Sequence, residues 1–435
     1  MGKQFGVYER RKLLRSYAYK EGEKRLYIKI HRGTAQIGGN LIEIGTAETR
    51  ILFDVGTNLP SLDGKEEKDL IEIEGLTYGK PAFDWVFISH HHNDHCGLVE
   101  RILPGIPIFS GEETHRILDV IADFTDSPRP EIHFHFKNCH PIQLDDMRVT
   151  PIGVDHSAVD AYMFLIQADG KNVLYTGDYR AAEQIPAQIR QLLGGQKLDV
   201  LISEGTNIRA EKQSSNTPQN EKQVEQRACE LMMQYSGTVF VLCSSTNEER
   251  IRAMHRAAKT ARRTVCEDLF LTAVRMGREK NTLRFVAHYT SEKKTPRTYA
   301  YFQHHFERRE LLGAESLAKL PGKKVVFVRT SMLPFLMSYL ACCPDEKNLL
   351  LYSIWQGYRE TRSIKELLAF CDAYGIDVSD LHCSGHAYRS AIQELIRVLE
   401  PEVLIPIHCE AQDRRQFEEL HPNCLMMHDG KRWEV

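Results

Sequence analysis

Residues 84–97 read DWVFISHHHNDHCG, and the fold turns on how this stretch is divided. DWVFIS alternates like a half-buried strand, so HHHNDH falls where the strand ends and a loop begins, ahead of the helical pattern CGLVERIL. Residues two apart in extended backbone point the same way, so His90 and His92 share a target while His91 faces elsewhere. Asp94 and His95 open the next helix and reach a second position a few ångströms away. His90, His92, Asp94 and His95 are therefore the expected ligands, with His91 and Asn93 as neighbours. Imidazole and carboxylate without thiolate suit Zn²⁺ or Mn²⁺ at a catalytic site, and two such ions need more ligands than this loop holds.

The remaining ligands must come from other strand ends. His156 in PIGVDHSAVDAY, Asp178 in NVLYTGDYR and His408 in LIPIHCE each occupy such a position. Taken singly, TGD is a good turn and an isolated histidine is usually not a ligand. The set carries the reading.

That set resembles the metal motifs of the metallo-β-lactamase superfamily: His90-x-His92-x-Asp94-His95, then His156, then Asp178, with ILFDVG resembling the earlier strand whose aspartate, here Asp54, supports a metal-binding histidine. Glu204 in LISEGTN, His386 in HCSGHA and His408 in IPIHCE resemble the three further motifs of the β-CASP nucleases, the family of ribonuclease J. The resemblance spans about residues 26 to 410 and implies an α/β fold, an αββα sandwich carrying an inserted α/β β-CASP domain that closes over the site. It also implies two divalent cations, zinc first with manganese compatible: His90, His92 and His156 on one, Asp94, His95 and His408 on the other, and Asp178 bridging. Such a pair activates a shared water for in-line attack on a phosphodiester. His386, oriented by Glu204, is then the general acid for the leaving 3′ oxygen, and the products carry a 5′-phosphate and a 3′-hydroxyl. In this family the last motif is His in members acting on RNA and Val in the DNA-repair branch, so His408 tilts the choice toward RNA; the expected partner is single-stranded RNA.

Composition bounds these expectations. The chain has 435 residues, 42% of them hydrophobic, enough for one large core or two ordinary ones. Its apolar runs, such as VVFV and VFVLC, are strand-sized and far short of the roughly 20 residues of a membrane span. The basic amino end has no apolar stretch of the secretory kind, which points to the cytoplasm. Eleven cysteines, none spaced as CxxC, read as reduced thiols. The net charge of −3 hides an asymmetry: residues 211–330 hold 22 Lys+Arg against 13 Asp+Glu, the remainder 34 against 46. A basic middle suggests a polyanion as partner, with solvated helix faces as the plainer explanation.

The expected domains are a basic extension at 1–25, a first metallo-β-lactamase segment at 26–208, an insertion at 209–348 and a second metallo-β-lactamase segment at 349–435. The polar stretch RAEKQSSNTPQNEKQVEQ marks the change of character, and LLLYSIW marks the return. Within the insertion, LCSSTNEER leads from a strand into a helix bearing Arg250, Arg252, Arg256, Lys259, Arg262 and Arg263. Ser244, Ser245 and Thr246 could hold a phosphate at that helix amino terminus, or simply cap it. Trp355 and Tyr358 in YSIWQGY suit either base stacking or a packed junction. His133 and His135 alternate on an apparent strand but lack a carboxylate motif. Residues 326–333, VFVRTSML, lack the glycines with which ribonuclease J receives a 5′ end, which argues against processive 5′ exonuclease action. Two other functions fit the same fold: a small-molecule ester, thioester or lactam hydrolase, for which the insertion and the Glu204, His386 pair have no use, and a non-catalytic RNA-binding subunit, against which stand the filled ligand positions. Oligomeric state does not follow from the residues.

Overall fold

The computed structural model describes residues 25–59, 71–180, 184–209, 218, 220–275, 282–285, 311–343 and 346–435. Strands are numbered in chain order. β1 (Tyr27–Arg32), β2 (Leu41–Gly45), β3 (Arg50–Phe53), β4 (Trp85–Phe87), β5 (Ile108–Ser110) and β6 (Phe134–His135) lie side by side in that order in one sheet. A second sheet holds β7 (Ile142–Leu144), β8 (Met147–Val154), β9 (Ala161–Ala168), β10 (Lys171–Tyr175) and β11 (Val200–Glu204). Between the facing sheets, Ile42, Ile44, Ile51 and Phe53 of the first pack with Val149, Phe164, Ile166, Val173, Val200 and Ile202 of the second.

Alternation along each strand sends the intervening residues outward. Leu52, Val86 and Ile88 meet Leu98, Val99 and Leu118 on one outer face. Met163, Leu165, Leu174 and Leu201 meet the helices Ile185–Leu193 and Arg389–Leu399 on the other. The result is helix, sheet, sheet, helix, the expected αββα sandwich.

The third sheet contains β12 (Val239–Leu242), β13 (Thr264–Asp268), β14 (Leu283–Phe285), β15 (Leu311–Leu312), β16 (Lys324–Val328), β17 (Leu349–Tyr352) and β18 (Asp377–Asp380). Every pairing in it is parallel, and both faces of its central strands are covered, which is why β12, β16 and β17 read as apolar runs. β17 pairs with β12 from Val239↔Leu349 to Leu242↔Tyr352. The return to the first domain therefore does not fall at residue 349, as the sequence suggested. LLLY and the helix Arg362–Ala373 belong to the third sheet's layers, and the sandwich resumes only after β18. It is completed by β19 (Val403–Ile407), parallel to β11, and by β20 (Arg432–Glu434), antiparallel to β1. The basic extension expected at 1–25 lies almost wholly outside the described residues.

The helix Glu248–Thr260 also departs from its reading as a basic face. Arg250 is fully buried, with Nε 2.7 Å from Glu221 Oε2 and Nη1 donating to Ser353 O at 3.0 Å. Arg263 is buried against the carbonyls of Met232 and Gly237. Both hold the fold together and are not free for phosphate. Among the described residues no helix is long and apolar enough to cross a membrane, and all eleven cysteines are free.

Candidate metal centre

Parallel strands put their carboxy ends on one edge, and the polar side chains collect there. Asp54 follows β3, His90 and His92 follow β4, His156 follows β8, Asp178 follows β10, Glu204 ends β11 and His408 follows β19. The short helix Asn93–Cys96 adds Asp94 and His95. Gly56 is what lets the turn after β3 lie under that helix, since a Cβ there would fall 1.7 Å from Asp94 O.

Three groups of ligand atoms result, each within 4.8 Å: His90, His92 and His156; Asp94, His95, Asp178 and His408; and His156, Asp178 and His386. All seven residues read from the sequence as metal ligands are thus brought together. His92 Nδ1 lies 3.1 Å from His90 Nε2 and 3.2 Å from His156 Nε2. Nitrogens about 2.0–2.1 Å from a tetrahedral zinc stand about 3.3 Å apart, so these three fit one cation. Asp178 is 1% exposed and neither carboxylate oxygen has a hydrogen-bond partner. Around its Oδ2 stand His95 Nε2 at 3.0 Å, His386 Nδ1 at 3.6 Å, His408 Nε2 at 3.7 Å, and His90 and His156 Nε2 at 3.9 Å. A buried, unbonded carboxylate ringed by imidazoles is what a cation between them would satisfy.

Outer contacts settle which nitrogen each ring presents. His95 Nδ1–H donates to Asp54 Oδ2 at 2.7 Å and His156 Nδ1–H to Gly385 O at 2.6 Å, leaving both Nε2 lone pairs for the cluster. Asp54, at φ +60° and fully buried, also accepts from Ser89 N at 2.7 Å, Ser89 Oγ at 2.9 Å and the Tyr175 hydroxyl. With its proton given to Asp54, Ser89 Oγ is free to accept from His90 Nδ1–H at 3.0 Å. His408 differs. Gly38 N–H donates to its Nδ1 at 3.2 Å, so the neutral ring keeps its proton on Nε2, which ligation would have to displace.

The imidazoles of the cluster divide by charge: burial opposes a proton on His95, but the carboxylates of Asp178 and Asp54 overcome it and hold this ring well above the ordinary histidine range, so a cation would have to displace that proton. Burial, reinforced by neighbouring imidazoles, holds His90, His92 and His156 well below the ordinary histidine range, so they are neutral donors of lone pairs. Burial also works against charge on Asp178, but His408, His95 and His386 outweigh it and hold the carboxyl well below its usual range. His386 is pushed up to about 9: burial opposes its charge, and the carboxylates of Glu204 and Asp178 overcome it.

Glu204 does more than face that ring. His386 Nδ1 stands 3.4 Å from Glu204 Oε1, while the carboxylate accepts hydrogen bonds from Ala387 N at 3.1 Å, Thr206 N at 3.0 Å and Tyr179 N at 3.5 Å. It clamps the loop that carries His386. Asn207 grips the same loop, donating to Ser384 Oγ at 2.8 Å and His386 O at 3.3 Å. Ser89, Tyr175 and Asn207 were not singled out in the sequence. Each is adjacent to a motif that was, and only that adjacency could have marked them.

Other expected residues stay apart from the cluster. Ser244, Ser245 and Thr246 sit in the turn after β12, but the cap of the helix Glu248–Thr260 is Asn247, whose side chain accepts from Arg250 N at 3.0 Å. Ser244 Oγ and Thr246 Oγ1 bond each other at 3.0 Å, and Glu248 and Glu249 make the first turn acidic, which disfavours an anion. His91 is buried with neither ring nitrogen hydrogen-bonded, its ring edge-on to that of His92 with centroids 5.2 Å apart. His135 Nε2 pairs with His115 Nδ1 at 2.9 Å.

Residues 49–255 match the family model described as the beta-lactamase superfamily domain. The chain is 22% identical to ribonuclease J of Helicobacter pylori over 93% of its own length, and spans 60% of the length of that relative. It is 25% identical to ribonuclease J of Sinorhizobium meliloti, covering 89% of this chain and 69% of the relative, and 22% identical to Integrator complex subunit 11 of Gallus gallus, covering 91% and 71%. A crystal structure of a protein of unknown function from Enterococcus faecalis V583 superposes with a TM-score of 0.74 at 20% identity, covering 94% of this chain and all of that one.

Proposed function

From its cluster of histidines and aspartates and its likeness to these relatives, we propose that the chain is a metal-dependent ribonuclease of the β-CASP branch of the metallo-β-lactamase superfamily, acting on single-stranded RNA. The observation that carries this reading is Asp178, a buried carboxylate without a hydrogen-bond partner, ringed by five imidazole nitrogens within 3.9 Å. His90, His92 and His156 would hold one divalent cation, Asp94, His95 and His408 a second, and Asp178 would serve both; zinc and manganese each suit such donors. When bound, the ions supply Lewis acidity that acidifies a water and stabilises charge on the phosphodiester oxygens.

The chain's own residues supply the rest. Asp54, Ser89 and Gly385 fix the ring orientations of His95, His90 and His156. His386, at the rim of the cluster on the loop clamped by Glu204, is raised against burial by the Glu204 and Asp178 carboxylates and would give its proton to a leaving 3′ oxygen. That transfer leaves a 3′-hydroxyl on one product and a 5′-phosphate on the other. Support for RNA comes from the named relatives, from His408 in the last motif and from the basic middle of the chain, whose phosphate contacts would weaken steeply with salt.

The test is incubation with end-labelled single-stranded RNA and DNA, with and without Mn²⁺ or Zn²⁺, beside an Asp178→Ala control. RNA cleavage that requires the ion and is lost in the control is expected. Cleavage that survives the substitution would refute the assigned site, and no cleavage of RNA in either ion would refute the activity.

A further inference from the structure

We propose that Trp355 is a stacking platform for one unpaired base of the bound strand, beside the phosphate that the metal cluster acts on; this rests on the ribonuclease reading above. The placement follows from strand pairing. β17 and β18 run parallel with Tyr352 opposite Asp380, and their two chains leave the sheet together: Leu381 N–H donates to Tyr352 O at 2.9 Å, and Ser353 Oγ–H donates to Leu381 O. The loop that carries Trp355 is thus neighbour to the loop that carries His386, which lies 3.6 Å from Asp178. Ligand crevices of parallel sheets form at this end.

The indole is exposed and yet held. Trp355 is 49% exposed, whereas Trp85 is buried and Trp433 packs partly against the sandwich core. Its ring lies against Gly357, where a Cβ would fall 2.2 Å from the indole, so any larger residue there would displace it. Tyr358 meets it edge-on, with ring centroids 5.5 Å apart and planes at 87°. Tyr358 in turn packs on the core beneath, and its phenol is raised first by burial and then by the charge of Asp94, a member of the metal cluster. Arg359 is spoken for, lying over the Tyr352 ring and pairing with Asp380 at 2.6 Å. What this loop presents beside the cluster is therefore a fixed aromatic surface. Any base can stack on such a surface, so the platform would select single strands over duplex without reading sequence.

The experiment measures binding of a short, fluorescently labelled phosphorothioate single-stranded RNA to the full chain by anisotropy, with an abasic nucleotide moved along the RNA. Trp355→Ala is expected to weaken binding about tenfold and Trp355→Phe by no more than about threefold. One abasic position should cost the wild type about tenfold and cost Trp355→Ala nothing further. Equal affinity of wild type and Trp355→Ala, or an abasic penalty that is the same in both proteins at every position, overturns the proposal. A wild type that cleaves RNA while Trp355→Ala behaves identically sinks this inference alone. A wild type that neither binds nor cleaves RNA sinks the ribonuclease reading with it.

Discussion

Arg180 and Glu221 face each other across the seam between the sandwich and the inserted domain, Nη2 to Oε1 at 3.4 Å, and both are buried. Arg180 also reaches Glu249 at 2.7 Å, Asp155 at 3.3 Å and Ser384 O at 2.9 Å, while Arg250 holds Glu221 from the other side at 2.7 Å. One charged network thus ties the loops bearing His156, Asp178 and His386 to the helices Glu221–Gln234 and Glu248–Thr260. Removing one member of a buried network leaves the others uncompensated. Arg180→Ala should lower the melting midpoint by roughly 5 °C or more, and Arg180→Lys by less, in scanning calorimetry. An unchanged midpoint would mean that the seam is held by other contacts.

Metal content offers a second check. Wild-type protein dialysed against zinc should retain about two ions per chain by elemental analysis. His92→Ala should lose the ion of the three-histidine group and keep part of the other, whereas Asp178→Ala should lower both. Full occupancy in Asp178→Ala would contradict its shared role.

Asp54 touches no ligand position of the substrate, yet four donors converge on it. Asp54→Ala frees the His95 ring and strands the hydroxyls of Ser89 and Tyr175 in the interior. Metal affinity should fall about 10- to 100-fold in a chelator competition. The protein should also lose about 1–3 kcal/mol of stability, read by denaturant titration.

The pH dependence of the metal-stripped protein tests the surroundings of His386. Its folded pKa of about 9 lies above the unfolded imidazole value of about 6.5. Its charge therefore stabilises the fold fully below about pH 6.5, and that stabilisation is lost as pH rises to about 9. Stripped wild type should lose stability across this window, and His386→Gln should show a smaller decline, followed by thermal melts at each pH. Parallel curves for the two proteins would show that the Glu204 and Asp178 carboxylates do not act on this ring.

Much of the site was legible because metal ligation imposes local spacing. HHHNDH carries strand and helix periodicity within six residues, and strand-end His and Asp could be sought once two cations were suspected. Partners far apart in sequence left no such mark. Arg180 and Glu221 are separated by 41 positions, and nothing in TGDYR or NEKQVEQ announces their pairing. Arg250 and Arg263 counted as surface charge because composition cannot distinguish a buried guanidinium from an exposed one. The end of the insertion was misplaced because LLLY is a fully buried parallel strand, and such a strand looks the same in either sheet.

β19 closes the second sheet by pairing with β11 some two hundred residues earlier, Val200 against Val403, and His408 arrives only with it. Contacts of such sequence separation form late. A nascent chain on the ribosome would already possess the three-histidine corner while still lacking the final imidazole and the His386 loop. On the ribonuclease reading proposed above, cleavage of RNA would therefore wait until residue 408 has been made and β19 has docked beside β11.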